Sequence, residues 1–479
     1  MERFTLFFNS EPYEPRCSRG TPALDLIRGE KGLLGTKEGC REGDCGACAV
    51  LLGGPEEGGI RYRAVPSCLL ASGDLEGKHL VTIEGLGPDL SPVQKAFLEE
   101  NASQCGFCTP GFIMALTAWL CDACAPSVEG ALRAADGNLC RCTGYGSIRR
   151  AAERLSREFS GLPLDPARRM EILAERGVLP SSVLAYRTWL ETYDGKRHHP
   201  EKPADGSIPV VAGGTDYYVR NPEPPEDFSP FLVKSHPSAR GIGEVPFQGA
   251  SALRIGAAVT AAEFFSSPLV REQVPGIEAF EREFASTLIR NVATLGGNIA
   301  NASPVGDLSS MLLGLGAWVE IGPEPSRIIA LEDFFISYKK TALAPGEFIL
   351  SILLPSGGKD LRFSFAKISK RRNLDIAAVN VSISWREAEG RIRGARVSAG
   401  GVAPTPILLH GAAEALEGEP SPLGAQAVRS AAQAAMDEIA PIGDVRGSAE
   451  YRRRMTGRLV IATLLRLFPD GRLAEELYP

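Results

Sequence analysis

Apolar and polar positions along the chain change period several times, and each change marks a different kind of element. RFTLFFN near the start and the stretch around IRYRAVPSC have the β-branched and aromatic density of strands, and PALDLIR between them suits a helix. The segment TKEGCREGDCGACAVLL is too rich in Gly and Cys for a regular element. From about residue 89 the spacing becomes helical. Ser91 and Pro92 form an N-cap and first-turn pair for PVQKAFLEEN, and Pro110 with Gly111 opens the apolar run FIMALTAWL. Ser127 can cap VEGALRAA, with Gly137 just beyond it, and IRRAAERLSREF follows Ser147. Pro163, Pro166 and Pro180 surround one short helical run, which predicts a linker over 161–180 crossing the surface. An α/β segment over 181–356 follows, interrupted by the polar loop DGKRHHPEKPADGS. The last segment, 357–479, opens with strict alternation: Val379, Val381, Ile383 and Trp385 share one face of a strand. The EAEGR turn leads into ARVSAGG, and two helices close the chain. No internal repeat or low-complexity tract is present.

At 479 residues and 44% apolar content the chain can bury several cores, so it predicts about three domains, or four if some are small. A net charge of -6 argues against a nucleic-acid surface, which needs a basic face. No run approaches the roughly 18 apolar residues of a membrane span. The start MERFTLFFNSEPYEP has neither a long apolar core nor a small-residue cleavage site, so no signal peptide is expected and a cytoplasmic location fits. In a reducing compartment eleven cysteines are better explained as ligands and free thiols than as disulfides.

Eight of those cysteines fall into two quartets. Cys40, Cys45, Cys48 and Cys68 read C-x4-C-x2-C-x19-C, the plant-type spacing for a 2Fe–2S cluster. Gly39, Gly43 and Gly46 lie among them, where a loop must wrap metal and turn N–H groups toward sulfur. Cys105, Cys108, Cys140 and Cys142 read C-x2-C-x31-C-x-C, with one pair opening a helix and the other following a second helix. Zinc bound by four thiolates is the competing reading for each quartet, because thiolates alone do not name the metal. A zinc site more often uses two C-x2-C pairs, and the first quartet has only Cys45 with Cys48. Cys121 and Cys124 form a further C-x2-C pair with no second pair to complete it, and only Cys17 is left over. They are read as structural thiols. The five histidines, His79, His198, His199, His236 and His410, show no metal-ligand spacing, and none is assigned a catalytic role.

Two Gly-rich strings carry the remaining chemistry. VVAGGTD follows strand-like residues with a Gly-Gly turn, which lets backbone N–H groups approach a pyrophosphate. ATLGGNIANASPVGD repeats the Gly-Gly turn and adds Thr, Asn, Ser and Asp side chains able to bind ribose, phosphate or adenine. Neither is GxGxxG, and no Walker pattern occurs, so an ordinary Rossmann site is not indicated.

In combination, GCREGDCGACAV, QCGFCTPG, NLCRCTGY, VVAGGTDYYV and RNVATLGGNIANASPVGD resemble the small iron–sulfur and flavin subunit of bacterial enzymes of the xanthine dehydrogenase type, within the molybdenum hydroxylases. They run from Gly39 to Asp307. SYKKTAL, FSFAKISKRRNLDIA and SAGGVAPTP extend weaker likeness to about residue 406. The resemblance implies a multidomain α+β chain. Its parts would be a β-grasp, ferredoxin-like 2Fe–2S domain over 1–88 and a four-helix 2Fe–2S domain over 89–160. After the linker would come an FAD-binding domain of the vanillyl-alcohol-oxidase type over 181–356 and an α/β C-terminal domain like that of carbon monoxide dehydrogenase flavoproteins over 357–479.

It implies further that Val210, Val211, Ala212, Gly213, Gly214, Thr215, Asp216 and Tyr217 wrap the FAD pyrophosphate. Phe284, Thr294, Asn298, Asn301 and Asp307 match other FAD contacts, and Ile349 and Lys367 match positions near the flavin ring and ribityl chain. Tyr217 and Tyr218 depart from the usual aliphatic residues there. The implied partner is a molybdopterin-binding large subunit, in a heterotetramer of two small and two large chains, with NAD+ as acceptor. Gln104 resembles a residue that hydrogen-bonds the pterin. The same role in a hydroxylase for another heterocycle, an aldehyde or an aromatic thioester stays open, as does a non-catalytic electron carrier. No nucleic-acid or membrane partner is implied.

Overall fold

The computed structural model describes residues 3–56, 59–193, 206–323, 325–371, 374–468 and 471–477. His198 and His199, with most of the polar loop that holds them, lie outside the described residues. The chain divides into two compact units. The first combines 1–201 with 208–235 and 286–293; the second combines 202–207, 236–285 and 294–479.

The first unit begins with a five-stranded sheet in the order Glu11–Tyr13, Leu6–Phe8, His79–Val81, Ala49–Glu56 and Gly59–Pro66. Leu6–Phe8 runs parallel to His79–Val81, and the other pairs are antiparallel. PALDLIR forms a short α-turn, Ala23–Asp25, that continues as the wider π-helical turn Leu26–Glu30 and buries Leu24, Leu26 and Ile27. His79 is fully buried in the sheet, where Tyr62 Oη lies 2.6 Å from its Nδ1 and the Asn9 carbonyl 2.8 Å from its Nε2. Burial pushes its pKa down to about 4, so it is a neutral structural side chain at physiological pH.

Four helices follow: Pro92–Glu99, Thr109–Cys121, Val128–Ala134 and Gly146–Glu158. The expected caps form. Ser91 and Gln94 make a reciprocal capping box, and Ser127 accepts from the Gly130 N–H. The helix Thr109–Cys121 is apolar on every face, and every residue from Gly111 to Cys121 is buried, so it is the centre of this bundle. Residues 161–180 do not cross the surface as a linker would. They contain the helix Pro166–Glu175, whose Arg169 is fully buried and donates to the carbonyls of Leu120 and Pro163 at 2.7 and 2.9 Å. Leu162, Leu173, Val178 and Leu179 join the same core as Trp119 and Leu155. The proline spacing correctly marks the helix start, but it cannot show that the helix has an apolar face to bury.

The second unit holds two larger antiparallel sheets besides the two-stranded pair Phe335–Ser337 and Lys340–Thr341. One runs Arg327–Ala330, Trp318–Gly322, Phe348–Pro355, Ala250–Gly256 and Ile242–Phe247. The other runs Leu361–Ile368, Val379–Ala388, Arg391–Gly400 and Ile407–Leu408. The helices Ala425–Asp437 and Ala449–Leu467 cover the second sheet. Val379, Val381, Ile383 and Trp385 fill that core as their alternation requires. Their neighbours Asn380, Ser382 and Ser384 are buried too, so the strand has no solvent face until Arg386. Ser384 Oγ donates to the Gly314 carbonyl at 2.5 Å, and Gly314 has no side chain because Ser382 Oγ occupies the space of its Cβ. Trp385 stacks on Phe468 with centroids 5.9 Å apart. Trp385→Ala should therefore cost about 3–5 kcal/mol, seen as a lowered urea midpoint, while Trp385→Phe should cost markedly less because it also removes an indole N–H that has no partner among the described residues.

Candidate iron–sulfur and flavin site

Each cysteine quartet is brought together within the first unit, two thiols by two. Cys48 Sγ and Cys68 Sγ lie 3.4 Å apart, and the Cys45 thiol bonds to Cys40. In the second quartet Cys142 Sγ and Cys105 Sγ are 3.6 Å apart, and Cys108 bonds to Cys140. Two thiolates about 2.3 Å from one tetrahedral metal stand about 3.8 Å from each other, so Cys48 with Cys68 and Cys105 with Cys142 stand close to the spacing of ligands to one iron. All eight are free of disulfides.

The loop backbones aim N–H groups at these sulfurs. Glu42 N–H lies 3.3 Å from Cys40 Sγ. The Cys45 thiol first, then the N–H groups of Glu42, Asp44 and Cys45, bring the Cys40 pKa down to about 5 against the effect of burial. Gly43 N–H donates to Cys68, whose thiol is nonetheless held high by its bond with Cys48 and by burial. In the second quartet the Phe107 N–H, then Cys142, lower the Cys105 pKa. Cys140 is lowered despite burial by the Thr143 hydroxyl and by the N–H groups of Thr143 and Cys142. Thiolate donors ringed by N–H groups fit an anionic cluster, whose sulfurs accept such bonds. Cys121 stays outside both sets: it is buried at a helix end, its thiol donates to the Thr117 carbonyl at 3.3 Å, and desolvation raises its pKa. Cys124 is exposed.

The two thiol loops are also tied to each other. Leu139 N–H donates to the Cys45 carbonyl at 3.0 Å, and Asn138 Nδ2 donates to the Gly46 carbonyl at 3.0 Å. Gly46 takes φ +66° and leaves no room for a Cβ beside the Gly137 carbonyl and Asn138. Gly111 in turn admits the Gly46 carbonyl where its own Cβ would stand.

The flavin strings fall in different units. Val210–Val211 pairs in parallel with Phe231–Leu232 in the first unit, followed by the turn Ala212–Asp216 and the helical turn Tyr217–Arg220. Gly214 has φ +77°, and a Cβ there would lie 2.5 Å from the carbonyl of Leu69, the neighbour of Cys68. Tyr218 is fully buried and donates to the Gly20 carbonyl at 2.8 Å, while Tyr217 stacks on Phe228 at 5.0 Å. These two tyrosines hold the turn against the iron–sulfur part of the unit.

The second unit carries the other residues. Thr294 caps the helix Leu295–Ala300, and Asn298 Oδ1 accepts from Ser309 N and Oγ at 3.2 and 3.0 Å. Lys339 Nζ donates to the carbonyl and Oδ1 of Asn301 at 2.8 and 2.9 Å. Asp307 begins the helix Asp307–Gly314, is buried, and pairs with Lys367 Nζ at 2.7 Å. Lys367 is only 5% exposed, so it is not a solvated surface lysine. Asn380 Nδ2 completes the group with a 2.7 Å bond to the other Asp307 oxygen. Asn380 escaped the sequence analysis; its signal was one amide among the valines of an apolar strand. Phe284 and Ile349 are buried apolar side chains, Ile349 within the strand Phe348–Pro355.

Comparison with known proteins identifies the domains that hold most of these residues. Residues 82–153 match the model of a 2Fe-2S binding domain, residues 201–357 that of the FAD binding domain in molybdopterin dehydrogenase, and residues 364–467 that of the CO dehydrogenase flavoprotein C-terminal domain. Together with the gathered thiols, they define the class as a chain built of iron–sulfur-binding and FAD-binding domains of the molybdopterin dehydrogenase type. The chain is 28% identical to xanthine dehydrogenase of Drosophila pseudoobscura pseudoobscura over 529 aligned positions, 94% of this chain and 38% of that one. It is 30% identical to xanthine dehydrogenase/oxidase of Mus musculus over 438 positions, 79% of this chain and 32% of that one. It thus spans less than two-fifths of the length of either relative. Carbon monoxide dehydrogenase from Hydrogenophaga pseudoflava, in a form lacking the Mo-pyranopterin moiety of its molybdenum cofactor, superposes with a TM-score of 0.51 at 25% identity, over 56% of this chain and 91% of that one. The chain belongs to the xanthine dehydrogenase family and carries its iron–sulfur and FAD domains. No helix among the described residues is long and apolar enough to cross a membrane.

Burial raises the Asp307 pKa, and the Lys367 charge opposes that rise. In Lys367→Met the native carboxyl should hold its proton to still higher pH than the unfolded chain does. Stability should then be retained at low pH and lost as pH rises through the native Asp307 titration, by about 3–5 kcal/mol for an unpaired buried charge. Urea midpoints of flavin-depleted protein between pH 5 and 8 would show this slope, and Asp307→Asn in the same chain should remove it.

Proposed function

We propose that this chain is the iron–sulfur and flavin subunit of a molybdenum hydroxylase of the xanthine dehydrogenase type, with molybdopterin held by a partner chain. The single observation that carries the reading is the placement of Gly214, in the flavin string, against the carbonyl next to Cys68, in the unit that gathers both thiol quartets. Clusters handle one electron at a time, and a flavin converts that traffic to two-electron chemistry with NAD+.

In this reading Cys40, Cys45, Cys48 and Cys68 hold one 2Fe–2S cluster, and Cys105, Cys108, Cys140 and Cys142 hold a second. Residues 210–217 receive the FAD pyrophosphate on backbone N–H groups. Within the second unit Thr294, Asn298, Asn301 and Asp307 offer hydroxyl, amide and carboxylate groups of the kind that bind a nucleotide, with Lys367 fixed by Asp307. Phe284 and Ile349 supply apolar surface. The second quartet stands at an exposed face, where Cys105 and Cys142 are exposed and Phe107, Leu139 and Tyr145 are 43–47% exposed around them. Such an apolar surface suits docking of the molybdopterin subunit, with the exposed Gln104 at its edge. Purine as the partner's substrate, NAD+ as acceptor, a two-plus-two assembly and a cytoplasmic setting complete the proposal. Hydroxylation of another heterocycle, an aldehyde or an aromatic thioester would use this chain in the same way. A carrier without its own flavin would need none of the residues around Asp307.

The purified chain should contain about four iron and four labile sulfide, together with one FAD that survives desalting. Cys121→Ser and Cys124→Ser should leave the iron count unchanged; iron loss in either would make that pair a ligand set. Zinc in place of iron, in a colourless protein, would refute the cluster assignment. The chain alone should pass electrons from NADH to an artificial dye and oxidise no purine. With its partner added, Cys108→Ser should abolish purine-dependent NAD+ reduction while sparing most NADH-to-dye activity, since it breaks the route before the flavin.

A further inference from the structure

Eight residues of the second flavin string's approach, 286–293, belong to the first unit, although the chain on both sides of them belongs to the second. They are locked there by specific bonds. Thr287 N–H donates to Asp136 Oδ1 at 2.8 Å, Thr287 Oγ1 donates to the Arg133 carbonyl at 2.9 Å, and Asn291 Nδ2 donates to the Ala64 carbonyl at 2.8 Å. Arg290 is 1% exposed and pairs with Asp136 at 3.3 Å. Leu288 is buried with the helical core and Val292 with the sheet core. A segment so fixed can hold the Ile289 side chain in one place.

That place is the wall of the first thiol quartet. Ile289 packs on the buried set that contains Cys48, Cys68, Leu69 and Val211. A Cβ on Gly43, the residue whose N–H donates to Cys68, would meet Ile289 Cδ1 and Leu69 Cδ1, each at 2.6 Å. Cys48 and Cys68 are 3% and 4% exposed, whereas Cys40 and Cys45 are half-buried.

We infer that Ile289 is a positioning residue for the first cluster: it closes the Cys48–Cys68 side against water and so sets the cluster's reduction potential. The inference rests on the cluster assignment made above. Reduction adds negative charge to the cluster, and water at the sulfurs stabilises that charge, so exclusion of water keeps the potential low. Truncating Ile289 admits water, while Leu69 still fills the space beside Gly43 and so keeps its N–H in place. The first effect therefore exceeds the second, and the potential moves up.

The test is an EPR-monitored redox titration of the full chain, following the cluster signal that disappears in Cys45→Ala. Ile289→Val, Ile289→Ala and Ile289→Ser should raise the midpoint in that order. Serine should reach a severalfold to tenfold shift in the reduced-to-oxidised ratio at fixed potential, tenfold being about 59 mV for one electron. Iron release to a chelator should quicken in the same order, and Ile289→Leu should behave as wild type. Val292→Ala, which loosens the same segment in a different core, should leave the midpoint unchanged. If Ile289→Ser does not accumulate, the alanine variant decides. An unmoved or lowered midpoint in the alanine variant, or an equal shift in Val292→Ala, overturns the inference. Wild-type protein with no iron–sulfur signal overturns the cluster assignment instead.

Discussion

The hydrogen bond from Leu139 N–H to the Cys45 carbonyl is the constraint on which the iron–sulfur part depends. It joins two residues almost a hundred positions apart in sequence, one within the first thiol quartet and the other directly beside Cys140 of the second. Its geometry is possible only because the chains come closer than side chains allow. Gly46 at positive φ and Gly111 on the central helix have no Cβ to hold them apart, and Asn138 fills the remaining gap with a second bond to Gly46. The apolar helix Thr109–Cys121 then has to be buried on every face, which draws the β-sheet, the helix Pro166–Glu175 and Leu288 around it. Thiol loops with poor regular structure are thus held by the best-packed element nearby.

A different principle holds the second unit. There the polar face of the strand Val379–Ala388 is buried against the helix Asp307–Gly314, and every polar group on it needs a partner. Ser384 reaches the helix backbone and Asn380 reaches Asp307, while the Ser382 hydroxyl packs against Gly314 with no hydrogen-bond partner among the described residues. Lys367 neutralises the carboxylate from the neighbouring strand. A buried pair of this kind contributes little net stability but is costly to break, because either partner alone is a desolvated charge. It defines position, which is what a nucleotide-binding surface requires.

Much of this was legible beforehand. The quartets announced themselves because ligands close in sequence need fixed spacing and glycine between them. The helix starts at Ser91 and Ser127 were readable because capping is local. The alternation of Val379, Val381, Ile383 and Trp385 placed the C-terminal core correctly. What misled were segments whose fate depends on distant surface. Prolines 163, 166 and 180 gave 161–180 the look of a linker, yet Arg169 and Leu173 are buried in it. Lys367 could be read as solvated on its own, since the carboxylate that pairs with it is sixty positions away.

The sequence by itself determined the chemistry: which thiols form sets, where glycine must turn the chain, and which strings can meet a nucleotide. These are properties of neighbouring residues and their backbone freedom. Only the tertiary structure decided which of them meet. It paired the thiols two by two, brought Gly214 against the carbonyl beside Cys68, and placed Ile289, just ahead of a flavin string, in the wall of a thiol quartet. Contacts of that kind arise from burying apolar surface between segments far apart along the chain, and no local pattern encodes which distant surface will be the complement.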